Sequence, residues 1–198
     1  QGKSCGKKGC FKVMKQLSVV LLSIFFFCIN LNASEIENII NHFKKIENIS
    51  FSFKQNINEK IEKGNCIVEY PKKIYCLYDN FNKKLLVSNG KDLVIKNQQI
   101  DQYYIYPIEK TALNLILDKD FLISKIEKAN MDLVDNKLYR FRFDENEHTI
   151  NIFFDRKTLN LIGWQNIDIY QNLVITYLFD IEINSQLEKD QFKLPSIN

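Results

Sequence analysis

The sequence predicts an α+β protein built around one large antiparallel sheet. From Ser50 onward, apolar and polar residues alternate with a period of two, which is typical of strands with one buried face. Turn signals join these runs in succession, as in hairpins, and Asn89-Gly90 is the clearest of them. Helical spacing occurs only at residues 34–47 and 111–126, so the chain lacks the strand–helix alternation of a parallel sheet.

The first helix is predicted to run from Ser34 to about residue 47. Ser34 is followed three residues later by Glu37, which is the arrangement of a capping box. Apolar residues then recur at helical spacing on one face, and they are Ile36, Ile39, Ile40 and Phe43. This helix is expected to pack its apolar stripe on the sheet.

Strands and two further helices account for the rest of the chain. Residues 111–126 suit two short helices, with Asp118-Lys119-Asp120 between them. Strands are expected around residues 51–57, 65–70, 74–78, 85–87, 93–95, 103–105, 139–143, 149–154, 159–169 and 173–183.

Cys66 and Cys76 lie symmetrically about Pro71, where a hairpin is expected to turn. On such a hairpin the two residues face each other, or nearly so, which is a spacing that a disulfide can bridge. This spacing therefore predicts a disulfide in an oxidising compartment. The alternatives are two buried thiols or a register slip that separates the two cysteines.

The N-terminal region has the pattern of an export signal. Residues 17–29 carry no charge and follow Lys12 and Lys15, and the run is shorter than the roughly 20 residues of a membrane-spanning helix. Residues 14–33 are interpreted as a signal peptide cleaved near Ala33-Ser34, with residues 1–13 as an upstream extension. A retained anchor is the alternative. The mature domain is then residues 34–198.

Charge and motifs exclude several functions. The net charge of +3 comes from five lysines in residues 1–33, and without them basic and acidic residues nearly balance. A nucleic-acid partner is therefore not expected. No nucleophile–base set, phosphate-binding loop or metal-ligand spacing occurs, and His42 and His148 lie far apart. The sequence predicts a non-enzymatic protein with no cofactor, no metal and no catalytic residue.

Apolar content leaves two interpretations open. Aromatic residues make up 13% of the chain, while the helices that could cover the sheet are few and short. A curved sheet under a helical lid could enclose a pocket for acyl chains, whose burial contributes about 0.8 kcal/mol per methylene. The same residues could instead fill an ordinary core, and periodicity alone favours the filled core.

Five short motifs, taken in order, resemble those of the LolA family of periplasmic lipoprotein carriers. The similarity covers nearly all of residues 35–196 and lies in the order and spacing of the motifs. They are residues 52–55 (SFKQ), 64–71 (GNCIVEYP), 86–91 (LVSNGK), 110–116 (KTALNLI) and 192–195 (FKLP).

The resemblance implies an unclosed antiparallel β-barrel of about eleven strands with a lid of short helices. It implies a monomeric periplasmic chaperone that takes acylated lipoproteins from an inner-membrane ABC transporter and passes them to an outer-membrane acceptor. A lipid- or lipoprotein-sensing regulatory domain on the same scaffold is the alternative. The residues assigned to the acyl-chain cavity and lid are Phe43, Phe51, Phe53, Val68, Tyr70, Ile74, Leu113, Ile116 and Leu117.

One position departs from the family pattern. The family has an arginine before Pro71 that holds the lid closed through hydrogen bonds, whereas this chain has Tyr70. A tyrosine hydroxyl donates one hydrogen bond and cannot fork as a guanidinium does. How this lid is held is therefore the question that the sequence raises.

Overall fold

The computed structural model describes residues 30–79, 83–100, 102–145, 148–167 and 171–195, except for the side chains of residues 30–33 and 148. The upstream extension and the apolar run at residues 17–29 lie outside this described part. The chain divides into two compact units, residues 1–38 and 39–198, and the whole sheet belongs to the second. None of the described helices is long and apolar enough to cross a membrane.

Helix α1 spans Asn30–Lys44 and differs from its predicted bounds at both ends. It begins before Ser34, which lies inside the helix and does not cap it, because the preceding residues contain no proline or glycine to stop a helix. It ends before residue 47. There Asn184 donates from Nδ2 to the Lys45 carbonyl (3.0 Å) and accepts from the Glu47 N–H (2.7 Å), satisfying groups left open at the helix end.

Eleven strands form a single antiparallel sheet, which confirms the predicted fold class. Its order is β6-β5-β4-β3-β2-β1-β11-β10-β9-β8-β7, so the first and last strands pair with each other while β6 and β7 lie at the edges. The barrel is therefore not closed. The strands are β1 Asn48–Ile57, β2 Lys60–Glu69, β3 Lys73–Tyr78, β4 Lys84–Asn89, β5 Asp92–Asn97, β6 Gln102–Pro107, β7 Asn130–Val134, β8 Leu138–Glu145, β9 His148–Asp155, β10 Leu161–Ile167 and β11 Leu173–Ile183.

The helices between β6 and β7 confirm the two short helices predicted at residues 111–126. A 3₁₀ helix at Ile108–Lys110 leads into α2 (Leu113–Leu117) and α3 (Lys119–Ile126). Asp118 separates α2 from α3 and caps α3, since its side chain accepts the N–H of Phe121 at 3.0 Å. Helix α3 buries Leu122 and Ile126 completely.

A filled aromatic core lies between α1 and strands β8 and β9. The Phe43 ring meets the Phe154 ring edge-on, with centroids 5.9 Å apart, and Phe154 meets Phe141 in the same way at 5.8 Å. All three side chains are almost completely buried. Edge-to-face pairs of this kind contribute about 0.5–1.5 kcal/mol each beyond the area that they bury. The filled core that periodicity favoured therefore exists in this half of the sheet.

The segment after β11 lies against the opposite face of the sheet. Side chains alternate along a strand, so Lys73 points away from the face that carries Ile74 and Cys76. Its ammonium lies 5.9 Å from the centroid of the Phe192 ring in the C-terminal segment. We call this the outer face, and the face that carries Phe51, Cys66 and Cys76 the inner face.

Candidate functional site

A small, mainly apolar cavity lies between helix α2 and the inner face. Its volume is about 150 Å³. Among the described residues, strands supply every lining side chain except Leu113, which comes from α2. The lining residues are Phe51, Phe53, Gln55, Cys66, Ile74, Cys76, Tyr78, Leu86, Leu113, Trp164 and Thr176.

The disulfide predicted from sequence is present and forms part of the cavity wall. Cys66 on β2 is directly opposite Cys76 on β3, with a Cα–Cα distance of 4.1 Å. Phe51 is opposite Cys66 on one side, and Leu86 is opposite Cys76 on the other. The strand register therefore aligns four side chains across β1, β2, β3 and β4 in one apolar row.

Gly64 lets two aromatic rings of the cavity meet across strand β2. The residue lies between Phe53 and Tyr78 in the register, and their ring centroids are 4.9 Å apart. A Cβ at Gly64 would lie 2.9 Å from the Phe53 ring and 2.1 Å from the backbone oxygen of Leu77. The close approach of ring and backbone therefore requires glycine at this position.

Polar groups occupy one end of the cavity. Gln55 donates from Nε2 to the Thr176 hydroxyl at 2.9 Å, which joins β1 to β11. Glu62 lies opposite Gln55 on β2 and is only 7% exposed. Its carboxylate lies 2.6 Å from the Lys84 ammonium and 3.2 Å from the Lys60 ammonium. The Lys84 ammonium also lies 3.7 Å from the centroid of the Tyr78 ring.

The titration of this cluster follows from its surroundings. Burial acts to raise the pKa of Glu62, but the hydrogen bonds and positive charges of Lys84, and then Lys60, outweigh it and hold that pKa below its ordinary value. Burial, and then the negative charge of Glu62, raise the pKa of the Tyr78 phenol. Glu62 is therefore ionised and Tyr78 neutral at neutral pH.

The nine residues assigned to cavity and lid separate into two groups. Phe51, Phe53, Ile74 and Leu113 line the cavity. The other five do not line the cavity and lie on or next to the helices. Phe43 and Tyr70 meet edge-on with ring centroids 5.5 Å apart, while Val68, Ile116 and Leu117 are buried.

Five lining residues were missed: Gln55, Tyr78, Leu86, Trp164 and Thr176. Gln55 and Tyr78 continue the alternation from Phe53 and Cys76, so a strict count of strand parity would have found them. Trp164 and Thr176 reach the cavity through the pairing of β11 with β1, a contact between the two ends of the domain that no local pattern indicates.

Lys72, rather than an arginine at position 70, connects the β2–β3 turn to the helices. Its backbone N–H donates to the Leu117 carbonyl at the end of α2 (3.0 Å), and its ammonium lies 3.0 Å from the Asp118 carboxylate. The Ser88 hydroxyl on β4 donates to the Lys72 carbonyl at 3.0 Å and links the turn to that strand. The turn is thereby attached to both α2 and α3.

Lys119 makes a second attachment. Its ammonium donates to the carbonyl oxygens of Lys44, the last residue of α1 (3.2 Å), and of Ile46, two residues after it (2.9 Å). The same ammonium lies 5.6 Å from the centroid of the Tyr70 ring. Helix α3 is thus tied to the end of α1 through a cation that faces Tyr70.

Candidate metal ligands do not cluster in the part of the chain that the structure describes. No group of three or more His, Cys, Asp or Glu side chains there is placed to hold a metal ion. One nitrogen of His42, Nε2, lies 2.8 Å from the Asn160 side-chain oxygen.

Comparison with known proteins gives one family match. The family model described as outer membrane lipoprotein carrier protein LolA matches residues 44–195. No curated protein sequence matches the chain.

The chain is similar to several solved structures at low sequence identity, and the two with TM-scores of 0.50 or more share its fold. An uncharacterized conserved protein from Thermus thermophilus has a TM-score of 0.52 and 8% identity, over 83% of this chain and 94% of that one. MucB has a TM-score of 0.50 and 12% identity, over 83% of this chain and 63% of its own. A LolA superfamily protein from Nitrosomonas europaea has a TM-score of 0.42 and 6% identity, over 80% and 97% of the two chains.

Proposed function

We propose, from the premise that this chain belongs to the LolA family of outer membrane lipoprotein carrier proteins, that it binds the acyl chains of lipoproteins and carries them across the periplasm. The observation that carries the proposal is the apolar cavity between α2 and the inner face. Acyl chains gain about 0.8 kcal/mol per buried methylene, so binding needs no catalytic group. The protein acts as a carrier and not as an enzyme.

The size of the cavity requires the lid to move. At about 150 Å³ it is smaller than the roughly 300–1,000 Å³ of pockets that enclose a drug-sized ligand. Leu113 covers it from α2, a helix of only five residues whose end is attached to Lys72. Displacement of α2 would open the cavity and expose the buried side chains of Ile116 and Leu117, which would add apolar surface for the cargo.

Transfer in this proposal runs from an inner-membrane ABC transporter to an outer-membrane acceptor. The protein is exported by the signal peptide at residues 14–33, and the Cys66–Cys76 disulfide suits an oxidising compartment. The carrier works as a monomer, and the energy for loading is supplied by the transporter and not by a nucleotide bound to the carrier.

The test is release of a lipoprotein from the inner membrane. The full chain is expressed in a bacterium that exports it and is recovered from the periplasmic fraction. Bound lipid is identified by mass spectrometry, and the protein is then incubated with inner-membrane vesicles, ATP and a labelled lipoprotein. We expect acyl lipid to co-purify and the labelled lipoprotein to appear in the soluble fraction.

A variant pair separates cavity effects from surface effects. Leu113→Arg places a charge in the cavity wall and is expected to lower release at least tenfold. Leu173→Arg changes an exposed side chain on β11 and is expected to leave release unchanged. Absence of both bound acyl lipid and release would refute the proposal. Bound lipid without release would favour the sensing domain instead.

A further inference from the structure

The two edges of the sheet differ in how they are protected from other strands. Strand β7 (Asn130–Val134) carries Asp132 at its middle, and the Asp132 carboxylate lies 2.7 Å from the Arg140 guanidinium on β8. Strand β6 (Gln102–Pro107) contains no charged residue, and its pairing with β5 is regular and free of bulges. Edge strands of soluble proteins are usually interrupted by charge, proline or a bulge, because their open main chain can pair with another strand. Only a terminal proline limits the β6 edge.

The hydrogen-bond ladder shows which main-chain groups of β6 face β5. The Ile108 N–H, directly after the end of β6, donates to the Lys91 carbonyl at 2.9 Å. Hydrogen-bonded pairs alternate along an antiparallel ladder. Tyr106 and Tyr104, two and four residues before Ile108, therefore also direct their N–H and C=O groups towards β5.

The alternate residues of β6 direct their main chain away from the sheet. These residues are Tyr103 and Ile105, each with one N–H and one C=O, and Pro107, which has a C=O alone. A proline at an edge is tolerated where no N–H is needed for the ladder, which agrees with this assignment of Pro107. None of the described strands pairs with this side of β6. Its outward groups are therefore open to a partner.

Apolar side chains flank the open edge on both faces. Tyr104 lies in one row with Ile95 and Leu86 on the inner face, and it is 50% exposed. Tyr106 shares that face, and Ile105 lies on the outer face; both are more than 40% exposed. A strand added beside β6 would cover these side chains, and aromatic and β-branched residues form favourable pairs across strands.

The chemistry of the edge selects an extended, uncharged peptide segment. Outward N–H and C=O groups at every second residue match the main chain of another strand, as in the recognition of peptides by strand addition. A charged side chain placed beside Tyr104 or Ile105 would lose water and find no opposite charge on β6. A second folded copy fits less well, because a contact about 20 Å long and one strand wide is small beside the roughly 1,200–2,000 Å² of stable interfaces.

We propose that β6 is a docking edge for an extended, uncharged segment of a partner protein, which pairs with the main chain of Tyr103 and Ile105. The segment extends the sheet beyond its eleven strands. Its side chains next to β6 are apolar on both faces. This inference concerns the edge of the sheet and does not depend on what occupies the cavity under α2.

The test uses a synthetic peptide of alternating valine and threonine, about as long as β6, with an N-methyl group on every second residue. This peptide keeps one edge of N–H and C=O groups and cannot stack on itself. A fully N-methylated peptide with the same side chains is the control. Amide exchange of the protein is followed by NMR. We expect the first peptide at saturation to slow exchange of the Tyr103 and Ile105 amides at least tenfold, and the control to leave it unchanged.

Matched variants separate the main chain from the side chains. Ile105→Pro removes an outward N–H without removing a hydrogen bond to β5, and it should weaken peptide binding at least tenfold. Ile105→Lys keeps the N–H but places a charge beside the added strand, and it should weaken binding severalfold. Ile100→Lys changes an exposed isoleucine in the turn before β6 and should bind the peptide as the parent does. Near-ultraviolet circular dichroism checks folding, and if Ile105→Pro does not fold, the two lysine variants still carry the test.

Several outcomes would overturn the inference. Equal effects of the two peptides would show apolar adhesion without strand pairing, and unchanged exchange at millimolar peptide would show that the edge binds no strand. Unchanged binding by Ile105→Pro would also contradict it.

Sedimentation of the peptide-free protein tests the alternative occupant. A monomer supports the inference, whereas a dimer that Ile105→Pro dissociates would assign the edge to a second copy and overturn it. Peptide binding by a protein that releases no lipoprotein would remove the carrier function and leave the inference standing. Release of lipoprotein without peptide binding would do the reverse.

Discussion

Lys72 and Asp118 form an ion pair, with Nζ and Oδ2 3.0 Å apart, between the β2–β3 turn and the residue that caps helix α3. The backbone of Lys72 also donates to Leu117 at the end of α2. One residue of the turn therefore contacts both helices at their junction. This attachment lies two residues from Tyr70, the position at which the family resemblance implies an arginine.

Lys72→Met is expected to loosen the helices without unfolding the sheet. A partly exposed ion pair contributes roughly 0–1 kcal/mol, so the global free energy of unfolding should change little. Amide hydrogen exchange in α2 and α3 should become faster, because local opening depends on this attachment. Lys73→Met is the control, since the ion pair of Lys73 with Glu69 lies on the outer face. Equal exchange rates in both variants would contradict the role assigned to Lys72.

The stabilisation by Asp118 is expected to disappear in acid. Burial acts to raise the pKa of this carboxyl, but the hydrogen bond from the Phe121 N–H and the ammonium of Lys72 hold it below its ordinary value. A lowered pKa in the folded state gives stability that is present above the unfolded pKa, near 4, and is lost as the pH falls through the folded pKa. Asp118→Ala should therefore cost about 1 kcal/mol at pH 7 and progressively less below pH 4. Urea unfolding of both proteins across this range provides the measurement, and a constant difference would exclude the linkage.

Reduction of the Cys66–Cys76 disulfide is expected to lower the free energy of unfolding by roughly 2–3 kcal/mol. The cross-link closes a short hairpin loop and restricts the unfolded chain. Urea unfolding with and without reductant measures the loss, and the double variant Cys66→Ala with Cys76→Ala should unfold at the midpoint of the reduced protein. A midpoint that does not respond to reductant would show that the bond adds nothing.

The disulfide and the hairpin order could be predicted from sequence because they depend on local parity and turn spacing. Cys66 and Cys76 lie on one hairpin, and their pairing needed no distant contact. The start of α1 was placed wrongly at Ser34, since a capping pattern competes with helix continuation through the residues before it. Trp164 could not be assigned to the cavity, because its position depends on the pairing of β11 with β1.

Gly64→Ala is expected to destabilise the protein by roughly 1–3 kcal/mol, as overpacking does in well-packed sites. The added Cβ would lie 2.1 Å from the Leu77 carbonyl oxygen, a backbone atom that cannot rotate away. The contact between the Phe53 and Tyr78 rings should also be disturbed, which near-ultraviolet circular dichroism detects. Lys63→Ala, at an exposed neighbouring position, should stay within about 0.5 kcal/mol of the parent protein. A Gly64→Ala protein as stable as the parent would refute this account of the glycine.

Restoring the family arginine with Tyr70→Arg is expected to destabilise this protein and not to strengthen its lid. The Lys119 ammonium lies 5.6 Å from the centroid of the Tyr70 ring, and a guanidinium at this position would add a second positive charge beside it. The edge contact of Tyr70 with Phe43 would also be lost. Together these losses predict a decrease of about 1–2 kcal/mol in the free energy of unfolding.

Tyr70→Phe keeps both ring contacts and should change stability by less. If the like charge is the cause, Lys119→Gln combined with Tyr70→Arg should cost less than the sum of the two single substitutions, and a strictly additive double-mutant cycle would show that Lys119 and position 70 do not interact.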